Sequence, residues 1–370
     1  MDDARAWLEK IHAFEFDRPI KIMNVCGGHE RSITHAGMRD ALPRWLELVP
    51  GPGCPVCVCP EEDVYQAMQL ALVDKVILVA FGDMLRVPVN VKKGEVRSLA
   101  EAQAAGADVR PIASPLDARR IAQDNPGRPV VFFAAGFETT TAPTAAMLAE
   151  GIPDNLSILL SGRLTWPAVA MLLGSFESSP GSPGFDALVA PGHVSTVMGP
   201  EEWAFVVDRH KIPAAVAGFG TASLLASFYS VLRQLKSGER FLDNCYTEVA
   251  HRGGNPTAQR FMNAALDIVD ANWRGIGIIP NSGYALKPAF ARYGARLRFP
   301  DHTDPDRRRA GEMPPGCDCA QVVLGRIYPN QCRIYGKACT PRNPVGPCMV
   351  SDEGACRIWW AGGVRMAADA

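Results

Sequence analysis

Ten of the eleven cysteines in this 370-residue chain fall into two groups at opposite ends. Cys26, Cys54, Cys57 and Cys59 form the first group. Cys317, Cys319, Cys332, Cys339, Cys348 and Cys356 form the second, and Cys245 stands alone between them. Thiolates are soft metal ligands and redox groups, so the layout points to two sulfur-based chemistries in one protein.

The segment GPGCPVCVCPEED carries Cys54 and Cys57 as a C-x-x-C pair just ahead of a helix N-terminus. The positive end of a helix dipole stabilises thiolate there. Such a pair closes a small disulfide ring or supplies two metal ligands. Half of a structural zinc site is the plain alternative, weakened by the lack of a second C-x-x-C knuckle. Cys59, before Pro60, reads as an N-cap-like residue without chemistry. The segment CGGHE places Cys26 and His29 three residues apart on a glycine turn, which suits a metal site or a base-activated nucleophile. An inert buried cysteine is the plain alternative.

In the tail, Cys332-x6-Cys339-x8-Cys348-x7-Cys356 offers four thiolates in a segment rich in Gly and Pro. Four thiolates suit Zn2+ or a [4Fe–4S] cluster. Intervals wider than zinc-ribbon pairs, in a loop-rich wrap, favour the cluster modestly. Cys317 and Cys319 make a further C-x-C, as a redox pair or as spare ligands. Cys245 reads as core, and Trp166, Trp203, Trp273, Trp359 and Trp360 read as packing residues.

These groups need a frame. Near-continuous apolar runs end in glycine turns: Ile20 to Val25, KVILVAFGD, RPVVFFAAGFETT, NLSILLSG, FDALVAPGHVS and PAAVAGFG. Helical spacing follows or precedes them over 3–16, from Pro60, over 140–150 and from Thr221 to Lys236. This strand–loop–helix alternation indicates an α/β protein with parallel sheets covered on both faces. In such sheets ligands bind outside the carboxyl ends of strands. Cys26 and His29, Asp83, Glu138 and Thr139, and His193 and Ser195 all fall in loops of that kind. A proline-rich polar stretch from Pro111 to Pro129 reads as a boundary. The expected units are a first α/β domain over 18–120, a second over 121–245, and a mixed loop and helix domain over 246–370, with residues 1–17 a candidate addition. Residues 176–185 read as an exposed loop and 298–318 as irregular.

The bulk numbers exclude several classes. Net charge is −1 with no long basic block, which argues against non-specific nucleic-acid binding. No apolar run is long enough to cross a bilayer, and the best, Val76 to Phe81, would make one strand. The N-terminus is acidic and amphipathic without an apolar signal core, so a cytoplasmic location is expected. In a reducing compartment, clustered cysteines point to metal or redox chemistry rather than a disulfide framework.

CGGHE, GPGCPVC, FGDMLRVP, GFETT, PGHVS, WRGIGIIPNSG and the tail CRIYGKACTPRNPVGPCMVSDEGAC together resemble the HypD family of hydrogenase maturation factors. The resemblance covers nearly the whole chain. It implies a scaffold on which the Fe(CN)2CO unit of [NiFe]-hydrogenase is assembled, in complex with a HypC-like chaperone and with cyanide arriving from a HypE-like donor. The hydrogenase large subunit is then an indirect partner. It implies two α/β domains and a third enclosing a [4Fe–4S] cluster. By motif, Cys26 would ligate the nascent iron with His29 beside it. Cys54 and Cys57 would be the redox-active dithiol. Cys332, Cys339, Cys348 and Cys356 would hold the cluster, and Glu138 and His193 would line the same cleft. Cys59 departs from the family motif and raises the question of which cysteine pairs with Cys57. Two competing readings stand beside this one: a cluster-dependent thiol–disulfide reductase, which gives Cys26 and His29 no task, and a zinc-stabilised interaction protein.

Overall fold

A computed structural model describes residues 2–92, 94–177, 184–300 and 313–365. The centre of the expected exposed loop, 178–183, and most of the stretch expected to be irregular, 301–312, lie outside the described residues.

Two parallel sheets form the frame. The first has five strands: β1 (Ile20–Asn24), β2 (Leu46–Pro50), β7 (Ala187–Pro191), β8 (Ala214–Ala217) and β9 (Leu242–Cys245), in the order β2-β1-β7-β8-β9. The second has four: β3 (Ile77–Phe81), β4 (Val109–Ile112), β5 (Val130–Gly136) and β6 (Leu156–Gly162), in the order β4-β3-β5-β6. Every pairing within both sheets is parallel. All residues of β5, β6 and β7 are buried. Helices cover both faces, which is why those strands read as unbroken apolar runs.

The strands are shared out differently from the expected domains. The chain lays down β1 and β2, builds the whole second sheet, and then returns to complete the first with β7, β8 and β9. The span 18–120 is therefore divided between the two sheets, and so is 121–245. The stretch Pro111 to Pro129 is no boundary. It holds the end of β4 and the helix Pro115–Asp124, opened by a Ser114 capping box with Pro115 in its first turn.

After the sheets, β10 (Leu266–Trp273) and β11 (Gly277–Leu286) form an antiparallel hairpin with a register shift between Val269 and Ala271. The hairpin is pinned to the second sheet: Arg163 donates to Asn272 O at 2.8 and 3.0 Å. The tail then folds against the second sheet. Leu78, Val131 and Phe133 share one apolar cluster with Cys57, Val322, Cys332, Cys348 and Trp359. No helix among the described residues is long and apolar enough to cross a membrane.

Candidate functional site

The site lies where the carboxyl edges of the two sheets meet. Cys26 follows β1 and is the N-cap of the helix Gly27–His35, with φ −161° and ψ 123°. Gly27 N donates to Gly53 O at 3.1 Å, joining this turn to the one after β2. A Cβ on Gly53 would lie 2.5 Å from Cys26 Cα, and one on Gly27 would lie 2.4 Å from Glu353 O. Only glycine permits both backbone approaches. Gly53 thus lets the turn after β2 press on one side of Cys26, and Gly27 of CGG lets the tail loop press on the other.

Two cavities open onto Cys26. One, of about 100 Å³, is lined by Cys26, Thr139, Thr140, His193, Phe219 and Glu353. The other holds only about 10 Å³, one water-sized sphere, and brings together Cys26, Cys54, Cys57, Cys348 and Glu353. Cys54 and Cys57 are joined as a disulfide. Cys54 caps the short helix Pro55–Val58, its sulfur accepting from Cys57 N at 3.1 Å. The C-x-x-C pair is thus closed into the small disulfide ring that its spacing allows.

Burial, with Glu353 second, pushes the Cys26 thiol up to about 12, against the pull of the His29 and Gly28 N–H groups. Burial also raises the Glu353 carboxyl to about 7, and Asp83 adds to the rise while Arg31 opposes it. Glu353 nonetheless keeps exposed surface. Asp83 fixes this loop: its Oδ2 accepts from Ser351 Oγ at 2.9 Å and from Asp352 N at 3.1 Å.

The histidines differ from each other. His29 is fully buried and lines neither cavity. Its Nδ1 lies 3.0 Å from Asn24 Oδ1 and its Nε2 2.9 Å from Ala217 O. Burial, with His193 nearby, lowers it to about 3, so it is neutral and only one ring nitrogen has a proton to donate. It ties the Cys26 turn to the end of β8. His193 is solvent-exposed, lines the larger cavity and stacks on Phe219 with ring centres 3.8 Å apart.

The expectation that Glu138 lines the cleft is corrected. Glu138 opens the helix Glu138–Glu150 but turns inward, fully buried. It accepts from Thr165 N at 2.7 Å and Thr165 Oγ1 at 2.8 Å. Its GFETT neighbours Thr139 and Thr140 line the cavity instead. Burial raises Glu138 to about 7; it raises Glu202 to about 9, with help from Glu138.

Cys59 is buried and faces away from the disulfide's chemistry, its Sγ 3.4 Å from Ser161 Oγ. Burial, then Asp63, pushes its thiol to about 12. Cys245 ends β9 and is half-buried, with burial and Asp243 raising its thiol to about 12.

The tail gathers six sulfurs. Cys332, Cys339, Cys348 and Cys356 are buried. Cys317 Sγ lies 3.3 Å from Cys319 Sγ. The Cys348 sulfur is held well below the usual thiol range by hydrogen bonds from Cys319 and Cys356, and Cys356 is raised in turn. Backbone N–H groups of Asp318 and Ile334 face Cys332, those of Gly346 and Val345 face Cys339, and Cys356 N donates to Cys348 Sγ at 3.3 Å. Among the described residues no group of three or more His, Cys, Asp or Glu side chains stands ready-made around one metal position.

Glu353, Phe219, Thr140 and Thr165 escaped the sequence reading. The acidic SDEG next to Cys356 was the one available signal for Glu353.

A family model described as HypD, "Hydrogenase formation hypA family", matches residues 2–363. The chain is 39% identical to the hydrogenase maturation factor HypD of Azotobacter vinelandii over 351 residues, 94% of this chain and 90% of the relative. It is 38% identical to HypD2 of Bradyrhizobium diazoefficiens over 351 residues, with the same shares covered. Against HypD of Escherichia coli K12 it is 36% identical over 358 residues, again 94% and 90% of the two chains.

Proposed function

The chain belongs to the HypD family, and from that premise we propose that, as a hydrogenase maturation factor, it is the scaffold on which the Fe(CN)2CO unit is assembled. One observation carries this reading: Cys26, the Cys54–Cys57 disulfide and Cys348 of the tail line a single narrow cavity. The proposed iron anchor, the proposed two-electron couple and a cysteine of the sulfur-rich tail thus border the same small space.

Cys26 would hold the iron cargo. Its thiol is neutral with a value near 12, so iron must displace the proton on binding. Glu353, raised to about 7 in the same cavity, is a carboxylate able to receive it near neutral pH. His29 then acts as a pin rather than a ligand, because both ring nitrogens already face Asn24 and Ala217. His193 on Phe219 closes the larger cavity, with room for small ligands of the iron beside Thr139 and Thr140. The Cys54/Cys57 pair, when reduced, gives up two electrons and two protons as it closes to the disulfide.

Cys332, Cys339, Cys348 and Cys356 would hold a [4Fe–4S] cluster within a third, tail domain. The donor set fits: four buried thiols, three of them faced by backbone N–H groups of the kind that tune cluster sulfurs. Such a cluster supplies single electrons. A HypC-like chaperone would bring a second cysteine to the iron, and a HypE-like protein would deliver cyanide.

Infrared spectroscopy of protein co-purified anaerobically with its chaperone tests the reading. Bands of metal-bound cyanide and CO are expected from the wild type and are expected to vanish in Cys54→Ala/Cys57→Ala. No bands from the wild type under active maturation overturns the scaffold. Bands persisting in the double variant would overturn only the dithiol's part. The reductase alternative draws on the same cavity shared by the disulfide and Cys348, and it requires disulfide reduction to survive loss of Cys26.

A further inference from the structure

A second concave site lies outside the Cys26 cavities, between the helix Gly27–His35 and the helix Ala355–Ala361. It has a volume of about 300 Å³, and Arg31, Thr34, His35, Asp352, Arg357 and Ile358 line it. Among the described residues neither Arg31 nor Arg357 makes a hydrogen bond or ion pair within 4 Å, whereas nearby Arg39 is fully engaged with Glu30 at 2.7 Å. Two guanidinium groups that have no partner within 4 Å among the described residues thus stand at one hollow, with an imidazole beside them and Asp352 as the carboxylate that lines it. Guanidinium forks match the paired oxygens of carboxylates and phosphates.

We propose that this recess binds an oxyanion, a carboxylate or phosphate group, through Arg31 and Arg357, with Thr34 and His35 as further hydrogen-bonding groups. Asp352 opposite them favours a ligand that also carries a hydroxyl or amino donor. The recess shares two walls with the Cys26 site. The helix Gly27–His35 carries Cys26 at its start and Arg31, Thr34 and His35 further along. The tail loop places Asp352 in the recess and the adjacent Glu353 in the cavity.

Calorimetric titration of the full chain with inorganic phosphate and with succinate, at ionic strength held constant with chloride, tests this. Saturable binding of either probe is expected, and which probe binds identifies the oxyanion. Arg31→Gln and Arg357→Gln should each weaken it about tenfold or more, as loss of a charge-assisted hydrogen bond does. Arg31→Lys and Arg357→Lys, which keep the charge and lose the fork, serve if a Gln variant misfolds, and they too should bind more weakly. Heats no greater than those of matched chloride, or equal binding by a folded Arg31→Gln/Arg357→Gln protein, overturn the proposal.

Discussion

The two sheets present opposite kinds of edge to the same site. The first carries the reactive atoms: Cys26 after β1, the Cys54–Cys57 disulfide after β2, His193 after β7 and Phe219 after β8. The second offers hydroxyls and structure. Thr139, Thr140 and Thr165 line the cavity, Asp83 holds the tail loop in place, and the one carboxylate in GFETT is turned into the protein. Polar residues after strands are thus not equivalent. The first edge supplies the sulfurs, with His29 pinning their turn, and the second supplies hydroxyls to the cavity and the carboxylate that holds the tail loop.

Cys26→Ser gives the largest expected contrast. It exchanges a soft ligand for a hard one and should abolish the cyanide and CO bands, while the urea midpoint moves little because the residue is only half-buried. The matching change on the opposite wall, Thr139→Ala, should leave the bands present. Equal loss in both variants would erase the distinction between the edges.

The glycines give the next contrast. Gly27→Ala drives a methyl against the Glu353 carbonyl, and Gly28→Ala drives one to 2.7 Å from Phe219, whereas Gly82 after β3 has nothing within 4 Å. Gly27→Ala should lose about 1–3 kcal/mol, as overpacking does, and Gly82→Ala within about 0.5 kcal/mol. Denaturant unfolding reads both, and similar costs would mean that the tail loop does not press on the Cys26 turn.

Glu138 provides a pH test of the second edge. Its carboxyl sits at about 7 in the fold against 4.5 in the open chain. The native state therefore holds the proton more tightly, and stability falls as pH rises from about 4.5 to 7. Glu202, raised to about 9, extends the decline. Glu138→Gln keeps an acceptor for Thr165 and removes the first part of that slope. A variant whose urea midpoint follows the wild-type pH profile between 5 and 7 would place the ionised carboxylate in contact with solvent.

Much of this frame was legible in the sequence, for local reasons. β1, β3, β5, β6, β7 and β8 are apolar runs ending in glycine turns, and that signal needs no knowledge of partners. β2, β4 and β9 are four or five residues long and contain Glu47, Arg110 and Asp243, so no run marks them. The exchange of strands between sheets is a matter of non-local pairing, which composition does not encode. The site divides in the same way. Cys26, Cys54, Cys57 and His193 announce themselves by residue type and strand-end position. The inward turn of Glu138 depends on Thr165, 27 residues away, and the placing of Glu353 depends on Asp83, far away in the chain. Those relations exist only after the sheets have met.

Cys59 is the smallest effect and the closest test of where the first edge ends. It follows Cys57 by two residues, so its sequence position makes it a rival partner for that sulfur. Its side chain belongs to the other sheet: Sγ meets Ser161 Oγ of β6, and Ser161 donates to Asp63 at 2.6 Å. Asp63 is in turn paired with Arg296 at 2.5 Å. For Cys59 to reach Cys57, the helix Pro55–Val58 would have to unwind and this network would have to open. Cys59→Ala should therefore cost about 1 kcal/mol for a small buried group, leave Cys54 and Cys57 joined, and leave the infrared bands in place. Thiol alkylation followed by mass mapping reads the pairing. Loss of the Cys54–Cys57 linkage, or of the bands, in a folded Cys59→Ala protein would move Cys59 across the boundary and make the redox unit a set of three.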